Sequence, residues 1–254
     1  MNYPQPPSTT GRLYGVGIGP GDPELMTIKA HRIVQTCPVV AHFAARRRHG
    51  NAWSIIEHIV TADQTVLRLE YPVTTEAIDS ADYEREIAAF YDQSAEAIAV
   101  HLNAGRDVAV VCEGDPFFYG SYMYIHRRLA DHYPTTVIPG VTSVSAATAA
   151  AGVPLVSMNE TLTVLPGVMG PEQLKEALAS VDAAVVMKVG RHLTDIRAAA
   201  AAVGLAGQAV YVERASCATE RVLPLTDTAD IDAPYFSLVL IPGSGLDARS
   251  RTLE

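Results

Sequence analysis

The segment LYGVGIGPGD, residues 13–22, indicates the fold class of the chain. Its first five residues are apolar and end in glycine, which indicates a β-strand followed by a tight turn. Asp22 and Pro23 come next, an N-cap residue and a proline at the first helical position, so we expect a helix from there to about residue 34. A strand, a glycine-rich loop and a helix are the opening unit of an α/β protein.

The same alternation of strands and helices continues along the chain. The segment DVAVVC, residues 107–112, is almost wholly apolar, as a central parallel strand should be. In the first half we predict further strands at 38–43, 65–69 and 136–138, with helices at 52–60, 83–102, 121–129 and 143–151. In the second half we predict strands at 162–165, 183–189, 209–213, 221–225 and 236–241, with helices at 172–179 and 193–203.

This pattern predicts two α/β domains. The polar, proline-rich residues 1–10 are expected to form a disordered tail. Residues 11–139 should form an N-terminal domain around a mostly parallel sheet, because its strands alternate with helices. Pro139 and Gly140 then break the chain. Residues 140–254 should form a second domain with a mixed sheet, since no helix separates its last three strands.

The composition excludes several classes of protein. The 254 residues carry a net charge of -9, which argues against broad electrostatic binding to nucleic acid or to an anionic membrane. No apolar run approaches the roughly 18 residues of a membrane helix, and no secretory leader is evident. Three scattered cysteines suggest a reducing compartment. We therefore expect a cytoplasmic protein, and the spacing of its cysteines and histidines predicts no metal site.

Three loops carry chemical signals. The first, GVGIGPGD, fails the dinucleotide pattern GxGxxG because Pro20 or Asp22 stands at the third glycine in either register. The second, CEGDPFFYG at 112–120, offers a carboxylate beside aromatic rings, which suits an amphipathic ligand with a cationic part; an Asx-turn with core aromatics is the alternative. The third, PGVTS at 139–143, has two hydroxyls that can cap a helix, bind a ligand, or do both.

In order along the chain, GxGPGD, EGDPxFYG, PGVTS, VVMKVGR and YVERAS resemble the class III S-adenosylmethionine methyltransferases of tetrapyrrole biosynthesis. The resemblance extends from residue 11 to about residue 243. It implies two α/β domains with the cofactor cleft between them, usually in a homodimer, with S-adenosylmethionine as methyl donor and S-adenosylhomocysteine as product. The matched cofactor-binding positions are Pro20, Glu113, Gly114, Asp115, Phe118, Thr142, Ser143, Met187 and Ala215. Relatives often have glycine at the position of Ala215, which puts that one contact in doubt.

Within the family, EGDPFFYGSYMYI, MKVGR and APYFSLVLI look most similar to the C(20)-methyltransferases that act on precorrin-2. The basic segment ARRRHGNAW resembles the enzymes that take the metal-free substrate. This resemblance implies methylation of precorrin-2 at the C-20 meso carbon to give precorrin-3A. The alternatives are the cobalt-factor II C(20)-methyltransferase and an enzyme acting at another ring position.

The segment AHFAARRR has no carboxylate where some relatives carry a proposed base, so the catalytic base stays unassigned. His42, His49 and Tyr119 are the candidates, and for each a core or surface role is the alternative. Arg46, Arg47 and Arg48, with His49 and Tyr119, are candidate substrate contacts, because guanidinium groups match the carboxylates of a tetrapyrrole. A solvated basic loop is the other interpretation of the arginines.

Two functions of other classes also compete. One is a nucleotide-dependent oxidoreductase that uses the first glycine loop, against which the failed GxGxxG pattern weighs. The other is a tetrapyrrole carrier that keeps the fold without catalysis, against which the intact GDP and PGVTS motifs argue.

Overall fold

The computed structural model describes residues 10–46, 49–72 and 80–245, without the side chains of residues 80 and 81. The predicted tail therefore lies almost wholly outside the described residues. The chain divides into two compact units between Thr142 and Ser143, three residues after the predicted domain boundary. None of the helices in the described part of the chain has the length and hydropathy of a membrane-spanning segment.

The first unit is built on a parallel sheet of five strands. The strands are β1 (Leu13–Gly17), β2 (Val39–Ala45), β3 (Thr65–Tyr71), β4 (Val108–Cys112) and β5 (Thr135–Ile138). The helices are α1 (Ile28–Thr36), α2 (Asn51–Ile56), α3 (Ser80–Asn103) and α4 (Tyr122–Leu129). The strand order is β3-β2-β4-β1-β5, and all four pairings are parallel. The predicted parallel sheet is confirmed.

Both faces of this sheet are covered, as the apolar run in β4 predicts. All five residues of β4 are buried. Val108 and Val110 belong to the core that contains α3 and α4, whereas Ala109 and Val111 belong to the core that contains α1 and α2. Burial on both faces explains why the strand is continuously apolar and does not alternate.

The predicted helix over residues 22–34 is wrong in its first part. Asp22 does cap a helix, because its side chain accepts a hydrogen bond from the Glu24 amide, but this is a short 3-10 helix that ends at Leu25. The backbone is extended at Met26, and α1 starts at Ile28. The reason is a second N-cap, Thr27, whose hydroxyl accepts from the Ala30 amide.

The second unit contains a mixed sheet. Its helices are α5 (Ser143–Ala151), α6 (Pro171–Leu178) and α7 (Leu193–Ala202). Its strands are β6 (Leu162–Pro166), β7 (Ala183–Met187), β8 (Val210–Glu213), β9 (Arg221–Pro224) and β10 (Ser237–Ile241). The order is β6-β7-β10-β8-β9; β6 and β7 are parallel, whereas β10 is antiparallel to β7 and β8, and β8 to β9. The prediction of a partly antiparallel second sheet is confirmed.

We predict that Gly15→Ala destabilises the first unit, because Gly15 lies in β1 against an aromatic ring. A Cβ atom at Gly15 would stand 2.2 Å from the ring of Tyr122. Overpacking of this kind costs about 1–3 kcal/mol. Gly207→Ala is the control, since a Cβ there meets nothing within 4 Å. Urea denaturation followed by circular dichroism should show a lower midpoint for Gly15→Ala alone, and equal midpoints would contradict this account of the packing.

Candidate functional site

Three loops meet at the carboxyl edge of the parallel sheet. They are the β1 loop (residues 18–22), the β4 loop (residues 113–120) and the β5 loop (residues 139–142). Because β1 lies between β4 and β5 and all three run parallel, their loops leave the sheet at the same edge. The Gly114 amide donates to the Gly19 carbonyl at 2.8 Å, so the first two loops are joined directly. Ligands of open α/β sheets bind at this edge.

Glycines allow these loops to touch each other. A Cβ atom at Gly140 would stand 2.0 Å from the carbonyl oxygen of Gly114, and one at Gly17 would stand 2.6 Å from the Gly140 amide nitrogen. The structure shows that Gly17 and Gly140 permit close approach of one loop to another.

Asp115 ties the β4 loop to the β5 loop. Its Oδ1 accepts a hydrogen bond from the Phe117 amide at 2.8 Å, and its Oδ2 accepts one from the Gly140 amide at 3.0 Å. The first contact is the Asx-turn that the sequence left open as an alternative. The carboxylate therefore organises the loops, and its direct contact with a cofactor stays a prediction.

The aromatic residues of the β4 loop are not core residues. Phe117 is 50% exposed and Tyr119 is 45% exposed, while Phe118 is half-buried and lies edge-on to Tyr119. Tyr119 has a positive φ of 58°, a conformation that costs about 1–3 kcal/mol and is concentrated at functional sites. The loop thus presents flat rings to solvent at the edge where a ligand is expected.

Glu113 is a half-buried carboxylate at the end of β4. Burial raises its pKa, and hydrogen bonds from its own amide and from the Ala52 amide oppose that rise. An ionised carboxylate withdrawn from water attracts a cationic group more strongly than a surface carboxylate does. Glu113 therefore gives this edge a place for a positively charged part of a ligand.

The three candidate bases have different surroundings. His42 is only 2% exposed, its ring stacks on Trp53 with centroids 5.1 Å apart, and its Nδ1 has no hydrogen-bond partner. Burial lowers the pKa of His42, and the positive charge of Arg68 lowers it further. His49 is exposed and contacts the Glu57 carboxylate at 2.9 Å. Tyr119 alone of the three combines exposure with a position in the β4 loop.

The arginine cluster is only partly described. Arg46 directly follows β2 and is exposed, whereas Arg47 and Arg48 lie outside the described residues. Their role as substrate contacts, together with that of His49 and Tyr119, stays a prediction.

The remaining predicted cofactor residues lie at strand ends. Pro20 is half-buried in the β1 loop, and Thr142 directly precedes Ser143, the first residue of α5. In the second unit, Met187 ends β7 and is half-buried. The side chain of Ala215 is buried in the core cluster of α5, so the backbone is the part of Ala215 left to contact a cofactor.

The sequence did not reveal the strained backbone at three of these strand ends. Besides Tyr119, non-glycine residues with positive φ follow β7 at Lys188 (60°) and follow β8 at Arg214 (48°) and Ser216 (67°). A glycine or asparagine would have signalled such a conformation, whereas lysine, arginine and serine do not. Within the described residues, no three His, Cys, Asp or Glu side chains lie close enough together to hold a metal ion.

Comparisons with known proteins agree with this geometry. Residues 12–230 match the family of Tetrapyrrole (Corrin/Porphyrin) Methylases. The chain belongs to this family. The predicted family is therefore confirmed, and the oxidoreductase alternative is wrong.

Two relatives and one solved structure are similar to the chain over most of its length. A precorrin-2 C(20)-methyltransferase from Sinorhizobium sp. is 52% identical over 235 residues, which cover 92% of this chain and 96% of the relative. A cobalt-precorrin-2 C(20)-methyltransferase from Salmonella typhimurium is 28% identical over 235 residues, which cover 91% of this chain and 96% of the relative. The solved uroporphyrin-III C-methyltransferase from Thermus thermophilus, complexed with S-adenyl homocysteine, superposes with a TM-score of 0.66 at 23% identity, over 91% of this chain and 92% of that one. The predicted fold class is confirmed.

We predict that Asp115→Ala lowers the stability of the first unit and weakens the binding of S-adenosylhomocysteine. The change removes the acceptor of two backbone amides, and a hydrogen bond to a charged group contributes about 1.5–3 kcal/mol. Asp115→Asn keeps one acceptor oxygen and should therefore lose less stability and less affinity than Asp115→Ala. Urea denaturation and calorimetric titration measure the two effects, with the exposed Asp131→Ala as control. A loss of affinity at unchanged stability would show that the carboxylate contacts the cofactor and does not hold the loops.

We predict that His42→Phe makes stability less dependent on pH on the acid side of neutrality. The pKa of His42 is lowered by folding, so its contribution is complete above the unfolded pKa of about 6.5 and is lost as the pH falls through the lowered folded value. Phenylalanine keeps the stack on Trp53 and cannot be protonated. The fall in melting temperature from pH 7.5 to 5.5 should be smaller for His42→Phe than for wild type. His132→Phe, at an exposed position, is the control. An equal fall in melting temperature in His42→Phe and His132→Phe would refute the prediction.

Proposed function

We propose that the chain is an S-adenosylmethionine-dependent methyltransferase that methylates precorrin-2 at the C-20 meso carbon, giving precorrin-3A. The observation that carries the proposal is the 52% identity to a protein named for this activity, over nearly the full length of both chains. The alternative substrate is the cobalt-containing form, which is supported by a relative of 28% identity named for cobalt-precorrin-2. The difference between the two identities favours the metal-free substrate.

The described residues fit S-adenosylmethionine, which carries a sulfonium, an ammonium, a carboxylate, ribose hydroxyls and adenine. In the first unit, the half-buried carboxylate of Glu113 suits the cationic part, and the hydroxyl of Thr142 lies at the same sheet edge. In the second unit, the half-buried Met187 offers a soft apolar contact for adenine. Pro20, Gly114, Asp115, Phe118, Ser143 and Ala215 complete the proposed set.

When bound, S-adenosylmethionine supplies an electrophilic methyl group. The reduced macrocycle is itself a nucleophile at its meso carbon, so the protein acts chiefly by holding the reactants in line, which can lower the barrier by roughly 7–11 kcal/mol. The hydrogen bonds that join the β1, β4 and β5 loops keep the binding groups in place before a ligand arrives. Little reorganisation is then needed when the reactants bind.

The substrate is expected to contact the β2 and β4 loops. Arg46, Arg47, Arg48 and His49 follow β2 and would pair with the acetate and propionate groups. Tyr119 presents its exposed ring and hydroxyl from the β4 loop. Because Tyr119 is exposed in the β4 loop, we place it, among the three candidate bases, nearest to the ring proton that must leave after methylation.

Two properties of the whole protein accompany this proposal. We infer a homodimer, as is usual in the family, and sedimentation or light scattering measures it directly. We also infer a cytoplasmic protein, because the sequence has only three, widely spaced cysteines.

The test is a side-by-side assay with precorrin-2 and cobalt-factor II, using a donor with a carbon-13 methyl group. Mass spectrometry should show one added methyl on precorrin-2, and carbon-13 NMR should place it on C-20. A clear preference for the cobalt form, or a methyl on a pyrrole carbon, would contradict the substrate or the position while leaving methyl transfer intact. No incorporation into any reduced tetrapyrrole would overturn the enzymatic function and favour a carrier.

A further inference from the structure

A buried carboxylate organises the end of β8 in the second unit. Glu213 is 6% exposed, and its oxygens accept hydrogen bonds from the Tyr211 hydroxyl at 3.1 Å and from Arg214 Nη1 at 2.9 Å. Arg221, which is paired with Glu213 across the β8–β9 ladder, donates to it at 2.5 Å. Two guanidinium groups thus share one carboxylate, so one positive charge in this cluster is not neutralised by it.

Both arginines reach from the buried carboxylate to the surface. The side chains of Arg214 and Arg221 are each 43% exposed, whereas that of Glu213 is 7% exposed. A purely structural role for Glu213 needs only one guanidinium partner. The second arginine is held in position by the same carboxylate with its remaining N–H groups available to solvent.

The backbone of Arg214 pairs with a segment that carries two exposed aromatic rings. Its backbone amide donates to the Phe236 carbonyl at 2.8 Å, which continues the β8–β10 pairing by one residue. Phe236 is 43% exposed and Tyr235 is 58% exposed, and their rings pack edge to face at 5.3 Å. These residues belong to APYFSLVLI, a segment that the sequence comparison singled out and that the proposed function leaves without a role.

Charged side chains of both signs lie at this edge of the second sheet. Lys188, Arg191, Arg214 and Arg221 lie near the ends of β7 and β8 and the start of β9, and the carboxylates in the same segments are Asp195, Glu213, Glu220 and Asp232. Glu220 is in turn bonded to the Ser216 amide. The exposed guanidinium groups of Arg214 and Arg221, together with exposed rings, suit a ligand that carries carboxylates on a flat apolar face.

We propose that Arg214, Arg221, Tyr235 and Phe236 form a recognition surface for the carboxylate groups and the flat face of a tetrapyrrole. The guanidinium groups bind peripheral carboxylates, and the rings cover part of the macrocycle. The identity of the ligand rests on the proposed function. All four residues of this surface belong to the second unit.

The strained backbone gives this surface its shape. Arg214 and Ser216 both have positive φ, and the Arg214 amide is bonded to Phe236. The turn that carries Arg214 is therefore fixed from two directions, by the buried Glu213 carboxylate and by the strand that leads into β10. A preorganised arginine loses less conformational entropy on binding a carboxylate than a free one.

The test uses uroporphyrin, a flat tetrapyrrole with eight carboxylates, in a fluorescence-quenching titration of the full chain. Arg214→Gln and Arg221→Gln should each weaken its binding about 3- to 10-fold at low salt, and the difference from wild type should shrink at high salt. Tyr235→Ala and Phe236→Ala should weaken binding at both salt concentrations. The control is Arg85→Gln on α3, an exposed arginine paired with Asp82 in the first unit, which should bind as wild type does. Calorimetric affinity for S-adenosylhomocysteine should stay within about 2-fold in the arginine variants.

Three results would overturn the proposal. Unchanged uroporphyrin binding in Arg214→Gln and Tyr235→Ala would show that the surface does not contact the ligand. An equal loss of S-adenosylhomocysteine affinity would show that the arginines only shape the turn around Ala215. A change of oligomeric state in Tyr235→Ala with unchanged uroporphyrin binding would show a subunit contact. A chain that binds uroporphyrin through this surface but does not methylate precorrin-2 would contradict the proposed function alone.

Discussion

The candidate site depends on the hydrogen bonds between loops at the carboxyl edge of the first sheet. The Asp115 carboxylate accepts hydrogen bonds from the amides of Phe117 and Gly140, and the Gly114 amide donates to the Gly19 carbonyl. These contacts hold the ends of β4, β1 and β5 at fixed distances. The glycines at 17 and 140 make the arrangement possible, because a side chain at either position would overlap the neighbouring backbone. Binding groups on the loops are thereby positioned by the fold itself.

In the second unit, a network of charged side chains fixes the end of β8. At the end of β8, a buried glutamate is satisfied by a tyrosine hydroxyl and two guanidinium groups, and the backbone beyond it takes up left-handed conformations. Without these partners, Glu213 would be an unpaired buried charge, which is strongly unfavourable. The same contacts fix both arginines at the surface, so one network serves stability and places charge where a ligand can use it.

Most strands could be predicted from the sequence, because buried parallel strands such as β4 are continuous apolar runs between turn signals. The helix after the first loop was mispredicted because Thr27 caps a second helix only five residues after Asp22, and local preferences did not show which cap would prevail. The cross-chain contacts could not be predicted. The ring of Tyr122 against Gly15 and the pairing of Glu213 with Arg221 join residues whose proximity is set by packing and strand register. The catalytic base was left open for the same reason.

The most direct test is amide hydrogen exchange, followed by mass spectrometry, with and without S-adenosylhomocysteine. We expect the hydrogen-bonded loops at the sheet edge to hold the methyl donor. Binding should slow exchange in residues 18–22, 113–120 and 139–143 and leave α3, on one face of the same sheet, unchanged. Saturation by calorimetry with no added protection in the β1 and β4 loops would contradict the claim, because the donor would then bind somewhere else on the protein.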